Sequence, residues 1–302
     1  MKRHSLDPLS VSPWPAIMAQ ISEQTGRTFA AQQITPVGGG CINRAYRIQS
    51  ADQQFFVKLN QAQYLPMFEA EAAGLEEICH AAALHAPQPL GSGCGEDHAW
   101  LILEFLDLRE QGDDAALGTG LARMHRHTSD KYGWGRDNTI GSSPQINQQT
   151  SDWIAFWRQQ RLAFQLNLAQ ANGYGGRLQS LGEQLIDGCP HFFTEPGPRP
   201  SLLHGDLWRG NYAFDASGQP VIFDPAIYYG DREADLAMTE LFGGFSNDFY
   251  AAYRESWPLE AGYRTRKQLY NLYHILNHLN LFGGHYLRQA EAMMARLLAE
   301  IR

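Results

Sequence analysis

The sequence predicts an α+β protein of two lobes, an N-terminal antiparallel β-sheet lobe with a helix over residues 1–106 and a larger, mainly helical lobe over 107–302. Three observations carry this. Short apolar runs separated by Gly, Pro and Ser turns fill the first third, whereas apolar residues at helical spacing dominate the rest. Two apolar strand ends, Leu203 and Phe223, each lead into an aspartate, Asp206 and Asp224. At 302 residues, 44% hydrophobic and 19% charged, the chain is long enough for two cores.

In the first lobe, Pro13 and Pro15 mark a helix start, Ile17 and Ile21 recur one turn apart, and Gly26 offers a C-cap. Ile34–Val37, the triplet Gly38-Gly39-Gly40, Arg44–Gln49, a turn at Ser50–Asp52 and Phe55–Leu59 read as strand, glycine loop, strand, turn, strand. A helix follows from about Met67 to Ala83, with Phe68, Ala72, Leu75 and Ile78 on one stripe. It carries Glu69, Glu71, Glu76 and Glu77, and most helix glutamates form a solvated face. Ala99–Leu106 is the next continuous apolar strand.

In the second lobe, Asp113–His127 reads as a helix. The polar stretch Thr128–Thr150 is long for a connection and is expected to be a functional loop. Ser151 is expected to cap a helix containing Trp153, Phe156, Trp157 and Leu162. Further helices are expected over Arg177–Ile186, Asp235–Phe242, Phe249–Trp257, Lys267–Phe282 and Leu287–Ile301, with no internal repeat.

The net charge of −8 argues against a general binder of nucleic acid or anionic membrane. Four cysteines without a C-x-x-C pair suit a reducing cytosol and argue against a zinc site. Residues Met1–Ser12 lack the apolar core of a signal peptide, and no run reaches the ~18 apolar residues of a membrane span. The expectation is a cytoplasmic protein.

The stretch from Leu203 to Asn211 contains His-x-Asp-x4-Asn and is followed by Asp224. Phosphoryl transfer needs a carboxylate to orient or deprotonate a hydroxyl, and an amide and second carboxylate on Mg²⁺. Alone, an H-x-D triple is usually a loop bonding its own backbone. Lys58, interrupting an apolar strand, is either a snorkelling edge lysine or the strand lysine that holds nucleotide phosphates and pairs with a helix glutamate. Of the candidates, Glu71 is preferred to Glu69 as that partner. Gly38, Gly39, Gly40 and Cys41 form either a simple turn or a loop over the phosphates. The strand end at Glu104–Leu106 suits a hinge whose backbone reads adenine, although an ordinary core strand has the same composition. Neither a G-x-x-x-x-G-K-[ST] loop nor a dinucleotide fold is supported.

The chain resembles the fructosamine kinase (ketosamine kinase) family, within the aminoglycoside-phosphotransferase-like and protein-kinase-like folds. The resemblance is carried by Gly39-Gly40-Cys41-Ile42, Phe56-Val57-Lys58, Glu69-Ala70-Glu71, Gly133 to Gly141, His204-Gly205-Asp206-Leu207-Trp208-x-Gly210-Asn211, Phe223-Asp224-Pro225-Ala226, Tyr229 to Glu233 and Leu241 to Phe245. It implies ATP-dependent phosphorylation, at the third carbon, of ketoamines such as ribulosamines or fructosamines, small or protein-bound, after which the adduct eliminates and frees the amine. It further implies Asp206 as base, Asn211 and Asp224 on Mg²⁺, and Lys58 with Glu71 positioning the ATP phosphates in a cleft between the lobes. Trp208 is a candidate wall for the sugar or amine, with simple packing as the alternative. His278 could reach the substrate, with a satisfied buried histidine as the alternative. Cys41 is either an inert loop residue or an oxidisable thiol. Other readings are a kinase of aminoglycosides, choline-like alcohols or free sugars, and a non-catalytic nucleotide-binding module. The expected state is a monomer or homodimer.

Overall fold

The computed structural model describes residues 12–38, 42–194 and 196–301. They divide into two compact units, one of the residues up to Glu76 with Pro87–Asp107, the other of Glu77–Ala86 with Leu108 onward.

In the first unit, helix α1 (Trp14–Thr25) begins beside its prolines and stops at Gly26, whose left-handed φ of 66° lets its N–H reach the Glu23 carbonyl. Strands β1 (Gln33–Val37), β2 (Arg44–Gln49) and β3 (Gln54–Gln61) follow. Next come helix α2 (Leu65–Ala81), β4 (Pro89–Cys94) and β5 (His98–Glu104). The sheet is antiparallel in the order β1-β2-β3-β5-β4. Because strand side chains alternate, Val57 and Leu59 pack with Ile17, Ile21, Ile48, Trp100 and Ile102, while Lys58 between them faces the other way. The last strand ends at Glu104, so Phe105 and Leu106 lie beyond it.

In the second unit, α3 (Asp114–Met124) is capped by Asp113, whose carboxylate accepts the Ala116 N–H at 2.8 Å. The stretch 128–150 is not structureless. It holds a hairpin of β6 (Asn138–Ile140) and β7 (Ser143–Gln145), and Tyr132 bridges Thr150 while Gly133 bridges Tyr229. The cap of α4 (Trp153–Phe156) is Asp152 rather than Ser151, because the Asp152 carboxylate is the one that reaches the Ala155 N–H, at 3.0 Å. A π-helical segment, Trp157–Ala163, joins α4 to α5 (Phe164–Ala171), and α6 (Arg177–Gly188) follows.

Four three-residue strands come next, β8 (Ser201–Leu203), β9 (Tyr212–Phe214), β10 (Pro220–Ile222) and β11 (Tyr228–Gly230). They pair as β8–β11 and β9–β10. Helices α7 (Glu233–Leu241), α8 (Asn247–Ser256), α9 (Tyr263–Phe282) and α10 (His285–Glu300) complete the chain. The core is aromatic, with Trp153, Phe156 and Trp157 packed on Tyr270 and Tyr273 of α9. Arg161 is fully buried in it, its guanidinium 4.1 Å from the Tyr228 ring centroid and 4.6 Å from that of Phe156. Among the described residues, no helix is long and apolar enough to cross a membrane.

Candidate active site

Each unit assembles part of the predicted machinery. In the first, the alternation of β3 that buries Val57 and Leu59 presents Lys58 to α2, where its Nζ donates to Glu71 Oε1 at 2.5 Å. Both side chains are nearly buried, and taking two charges out of water costs several kcal/mol per ion before the attraction offsets it. Such a pair is weak evidence for stability and better evidence for a functional demand. Gly38 lies in open space, where an added Cβ would meet nothing within 4 Å. Gly39, Gly40 and Cys41 lie outside the described residues. Glu104 accepts the Gln88 N–H at 3.2 Å, so its carboxylate ties down the sheet edge, while Leu106 is half-buried past the strand end.

In the second unit, the buried β8 leads directly into His204-Gly205-Asp206. The loop is held by Asp235 of α7, whose two carboxylate oxygens accept the His204 N–H at 2.7 Å and the Gly205 N–H at 2.8 Å. Burial alone would raise the Asp235 carboxyl. The hydrogen bond with His125, together with that from the Gly205 amide, holds it below the usual range instead. Behind Asp235 the polar chain continues. His125 contacts it at 3.1 Å through Nε2 and meets the Tyr253 hydroxyl at 2.8 Å through Nδ1, and Arg232 donates to that hydroxyl at 3.2 Å.

Gly205 has a φ of 81°, and a Cβ there would fall 2.0 Å from the Ala226 carbonyl oxygen, so only glycine lets the two segments approach this closely. Buried His204 is kept neutral by desolvation. Its Nε2 donates to the Phe223 carbonyl at 3.0 Å, and its Nδ1 accepts the Asp206 N–H at 3.3 Å. One imidazole thus links the start of the Asp206 loop to the residue before Asp224.

The loop closes on itself. The Asn211 side-chain N–H₂ donates to the Asp206 carbonyl at 2.8 Å and reaches Asp206 Oδ2 at 3.3 Å, while the Asn211 main-chain N–H donates to the Trp208 carbonyl at 2.9 Å. Since a carbonyl only accepts, the amide orientation is fixed, and Asn211 Oδ1 points away from Asp206. Burial, and then the Asp224 charge, push the Asp206 carboxyl up to about 7.

Asp224 sits just after β10 in the left-handed region, at φ 57°, a conformation that costs a non-glycine residue energy and clusters at functional sites. Its flanks are pinned: the Phe223 N–H donates to the Asn211 carbonyl at 3.0 Å and the Ala226 N–H to the His204 carbonyl at 2.8 Å.

Asp235, His125 and a buried amide network were not anticipated from sequence. In that network Gln145 Nε2 donates to the Ala226 carbonyl and to Asn138 Oδ1, both at 2.9 Å. Asn138 Nδ2 reaches the Ile227 carbonyl at 2.8 Å, and Asn147 joins Asn138 to Arg161. The β6–β7 hairpin therefore fastens the backbone just after Asp224. An acid inside the apolar run Ala234–Met238 was the one available signal for Asp235.

A magnesium ion would find suitable donors here. Among the described residues no three His, Cys, Asp or Glu side chains converge as a metal cluster. Magnesium is commonly held by one or two carboxylates together with water and phosphate oxygens, and Asn211 Oδ1 with the Asp224 carboxylate fits that pattern. Trp208 is 39% exposed with its indole against Gly210, where a Cβ would come within 2.4 Å of the ring. His278 is half-buried on α9, and its Nδ1 donates to the His274 carbonyl at 2.8 Å.

The arrangement offers charge placement and orientation rather than a covalent nucleophile, and that is the requirement of phosphoryl transfer from a nucleotide. On fold and site, the chain is a small-molecule kinase of α+β architecture. Residues 13–300 match the model of the fructosamine kinase family. A probable ketoamine kinase of Synechocystis sp. is 45% identical over 292 residues, 96% of this chain and 98% of the relative. A chloroplastic protein-ribulosamine 3-kinase of Arabidopsis thaliana is 43% identical, covering 89% of this chain and 83% of the relative. The crystal structure of a putative fructosamine-3-kinase from Haemophilus somnus superposes with a TM-score of 0.87 at 29% identity, covering 94% of this chain and 97% of the other. The chain belongs to the fructosamine kinase family.

Proposed function

We propose that this chain transfers the γ-phosphoryl group of ATP to the third-carbon hydroxyl of a ketoamine, with ribulosamines as the first substrates to test. The reading is carried by the closed loop from Asp206 to Asn211, which holds one carboxylate beside an amide whose oxygen is turned outward. The named activities of the Synechocystis and Arabidopsis relatives support the substrate class.

In this reading Asp206 accepts the proton of the attacking sugar hydroxyl and orients its lone pair. Asp224 and Asn211 Oδ1 would hold Mg²⁺, and Lys58, set by Glu71, would bind the phosphates. Mg·ATP supplies the transferable phosphoryl group and the positive charge that neutralises it. Asp235 acts through the loop, fixing the two amides that aim Asp206. Phosphorylation at the third carbon would destabilise the adduct so that it eliminates and frees the amine, a deglycation. A cytoplasmic site of action belongs to the same proposal, supported by four cysteines without a C-x-x-C pair.

The test is purified protein with Mg·ATP and a panel of ribulosamines, fructosamines, free sugars and aminoglycosides, read by ADP release and product mass. Phosphate on a ketoamine is expected, with Asp206→Asn lowering turnover by about 10²-fold or more while nucleotide still binds. Phosphate on an aminoglycoside and on no ketoamine would overturn the substrate class. Turnover of Asp206→Asn at the wild-type rate would overturn the mechanism.

A further inference from the structure

Among the described non-glycine residues only Ala82 and Asp224 have a positive φ, and Ala82 lies just past the end of α2. Asp224 adopts its φ of 57° immediately before Pro225, whose ring narrows the choices of the residue ahead of it. A conformation of this kind persists only where the surroundings hold it.

Two chains of donated hydrogen bonds end on the segment just after Asp224. In one, Arg161 Nη2 donates to Asn147 Oδ1 at 2.8 Å, Asn147 Nδ2 to Asn138 Oδ1 at 2.9 Å, and Asn138 Nδ2 to the Ile227 carbonyl at 2.8 Å. In the other, the Tyr273 hydroxyl donates to Gln145 Oε1 at 2.7 Å and Gln145 Nε2 to the Ala226 carbonyl at 2.9 Å. Gln145 Nε2 also reaches Asn138 Oδ1, at 2.9 Å, and ties the two chains together. Every link runs the same way, toward a main-chain oxygen that can only accept, so flipping the Gln145 or Asn138 amide would set oxygen against oxygen. All five side chains are buried.

Arg161 heads one chain without a carboxylate: its guanidinium donates to the Ile146 and Gln160 carbonyls and to Asn147 Oδ1. A buried charge lacking a counter-ion costs stability, so a well-packed core does not by itself account for it. A charged donor does give stronger hydrogen bonds than a neutral one, and it polarises the amides in line behind it.

We propose that Gln145 and Asn138 are positioning residues for Asp224. By holding the Ala226 and Ile227 carbonyls they keep Asp224 in its left-handed conformation, with the carboxylate placed to take Mg²⁺. The inference rests on the reading that Asp224 and Asn211 hold that ion, and adds what fixes one of the two. The segment ahead of Asp224 is pinned by Asn211, whose carbonyl accepts the Phe223 N–H at 3.0 Å, and the β6–β7 hairpin pins the segment behind it. Groups that orient a metal ligand commonly change metal affinity by about 10–100-fold without touching the ion.

The experiment titrates ADP into the whole chain by calorimetry with and without Mg²⁺, and takes the ratio of the two dissociation constants as the metal-dependent gain. It compares wild type, Gln145→Met, Gln145→Glu, Tyr273→Phe and Asp224→Ala. Both Gln145 variants keep the side-chain length and lose the donations to Ala226 and Asn138. Gln145→Glu retains the acceptor for Tyr273 and stands in where Gln145→Met does not fold. Tyr273→Phe removes a hydroxyl from the same network while leaving both carbonyls held. Thermal melts check that each variant is folded at the titration temperature.

The gain is expected to fall about tenfold in the Gln145 variants, to stay at the wild-type value in Tyr273→Phe and to vanish in Asp224→Ala. The Mg²⁺ concentration giving half-maximal turnover should rise in step in the Gln145 variants, with kcat at saturating Mg²⁺ little changed. A wild-type gain in a folded Gln145 variant overturns the inference, and spares the metal reading when Asp224→Ala has lost the gain. Equal falls in the Gln145 variants and Tyr273→Phe also overturn it, since they report a loosened core and not an aimed carboxylate. An undiminished gain in Asp224→Ala overturns both the inference and the metal reading.

Discussion

At Asp206, burying a carboxylate beside a second one works against the stability of the fold at neutral pH. Its carboxyl is held at about 7 by burial and by Asp224, above the ordinary 3.8. The folded chain therefore keeps a proton that the unfolded chain has already lost, and stability declines as pH rises from about 4 through 7. In metal-free buffer, Asp206→Asn should raise the melting temperature by a few degrees at pH 8 and leave it near wild type at pH 4. Equal shifts at both pH values would remove the electrostatic explanation. Gly205 is constrained for a different reason, its φ of 81° and its contact with the Ala226 carbonyl. Gly205→Ala should cost about 3 kcal/mol or more in denaturant unfolding, because both the backbone and its neighbour would have to move.

The stretch Thr128–Thr150 was expected to be a functional loop, and the β6–β7 hairpin within it ties down the backbone just after Asp224. Gln145 serves Asn138, the Ala226 carbonyl and the Tyr273 hydroxyl, the last at 2.7 Å. Gln145→Leu leaves three buried polar groups short of a partner, so a loss of roughly 2–4 kcal/mol is expected by chemical denaturation. Recovery of wild-type stability in that variant would show that the network is dispensable. The π-helical segment belongs to the same scale. Its buried Arg161 donates to the Ile146 carbonyl at 2.6 Å and to Asn147 Oδ1 at 2.8 Å, joining the aromatic core to the hairpin.

Across the whole molecule, histidines that the fold keeps neutral add acid sensitivity to that of the depressed Asp235 carboxyl. His125, His204 and His274 are all buried, and desolvation lowers each of them, His274 from 6.5 to about 3. The unfolded chain takes up protons near pH 6.5 that the folded chain refuses. Their contribution is therefore complete above pH 6.5 and is lost as pH falls, for His274 down to about pH 3. For His274 alone this is on the order of 5 kcal/mol. His274→Leu should flatten the fall in unfolding free energy between pH 6 and 4 by up to one proton's slope. A slope identical to wild type would assign the acid sensitivity to other groups.

Periodicity located nearly every helix and four strands of the first sheet, β1, β2, β3 and β5, because the 3.6- and 2-residue repeats are local properties of a chain. Spacing alone picked out Asp206, Asn211 and Asp224. The Lys58–Glu71 pair was legible as a strand lysine and a choice among helix glutamates, and the fold made the choice by pointing Glu71 at Nζ. The groups that hold the site were a different matter. Asp235 reaches the His204 amide across 31 residues of sequence and Gln145 reaches Ala226 across 81. Such partners have no periodic signature, since a hydrogen bond between distant segments is decided only when the chain has packed. The sequence by itself determined the chemistry available to this protein, and tertiary structure decided which buried groups aim it, because aiming depends on contacts that local spacing does not encode.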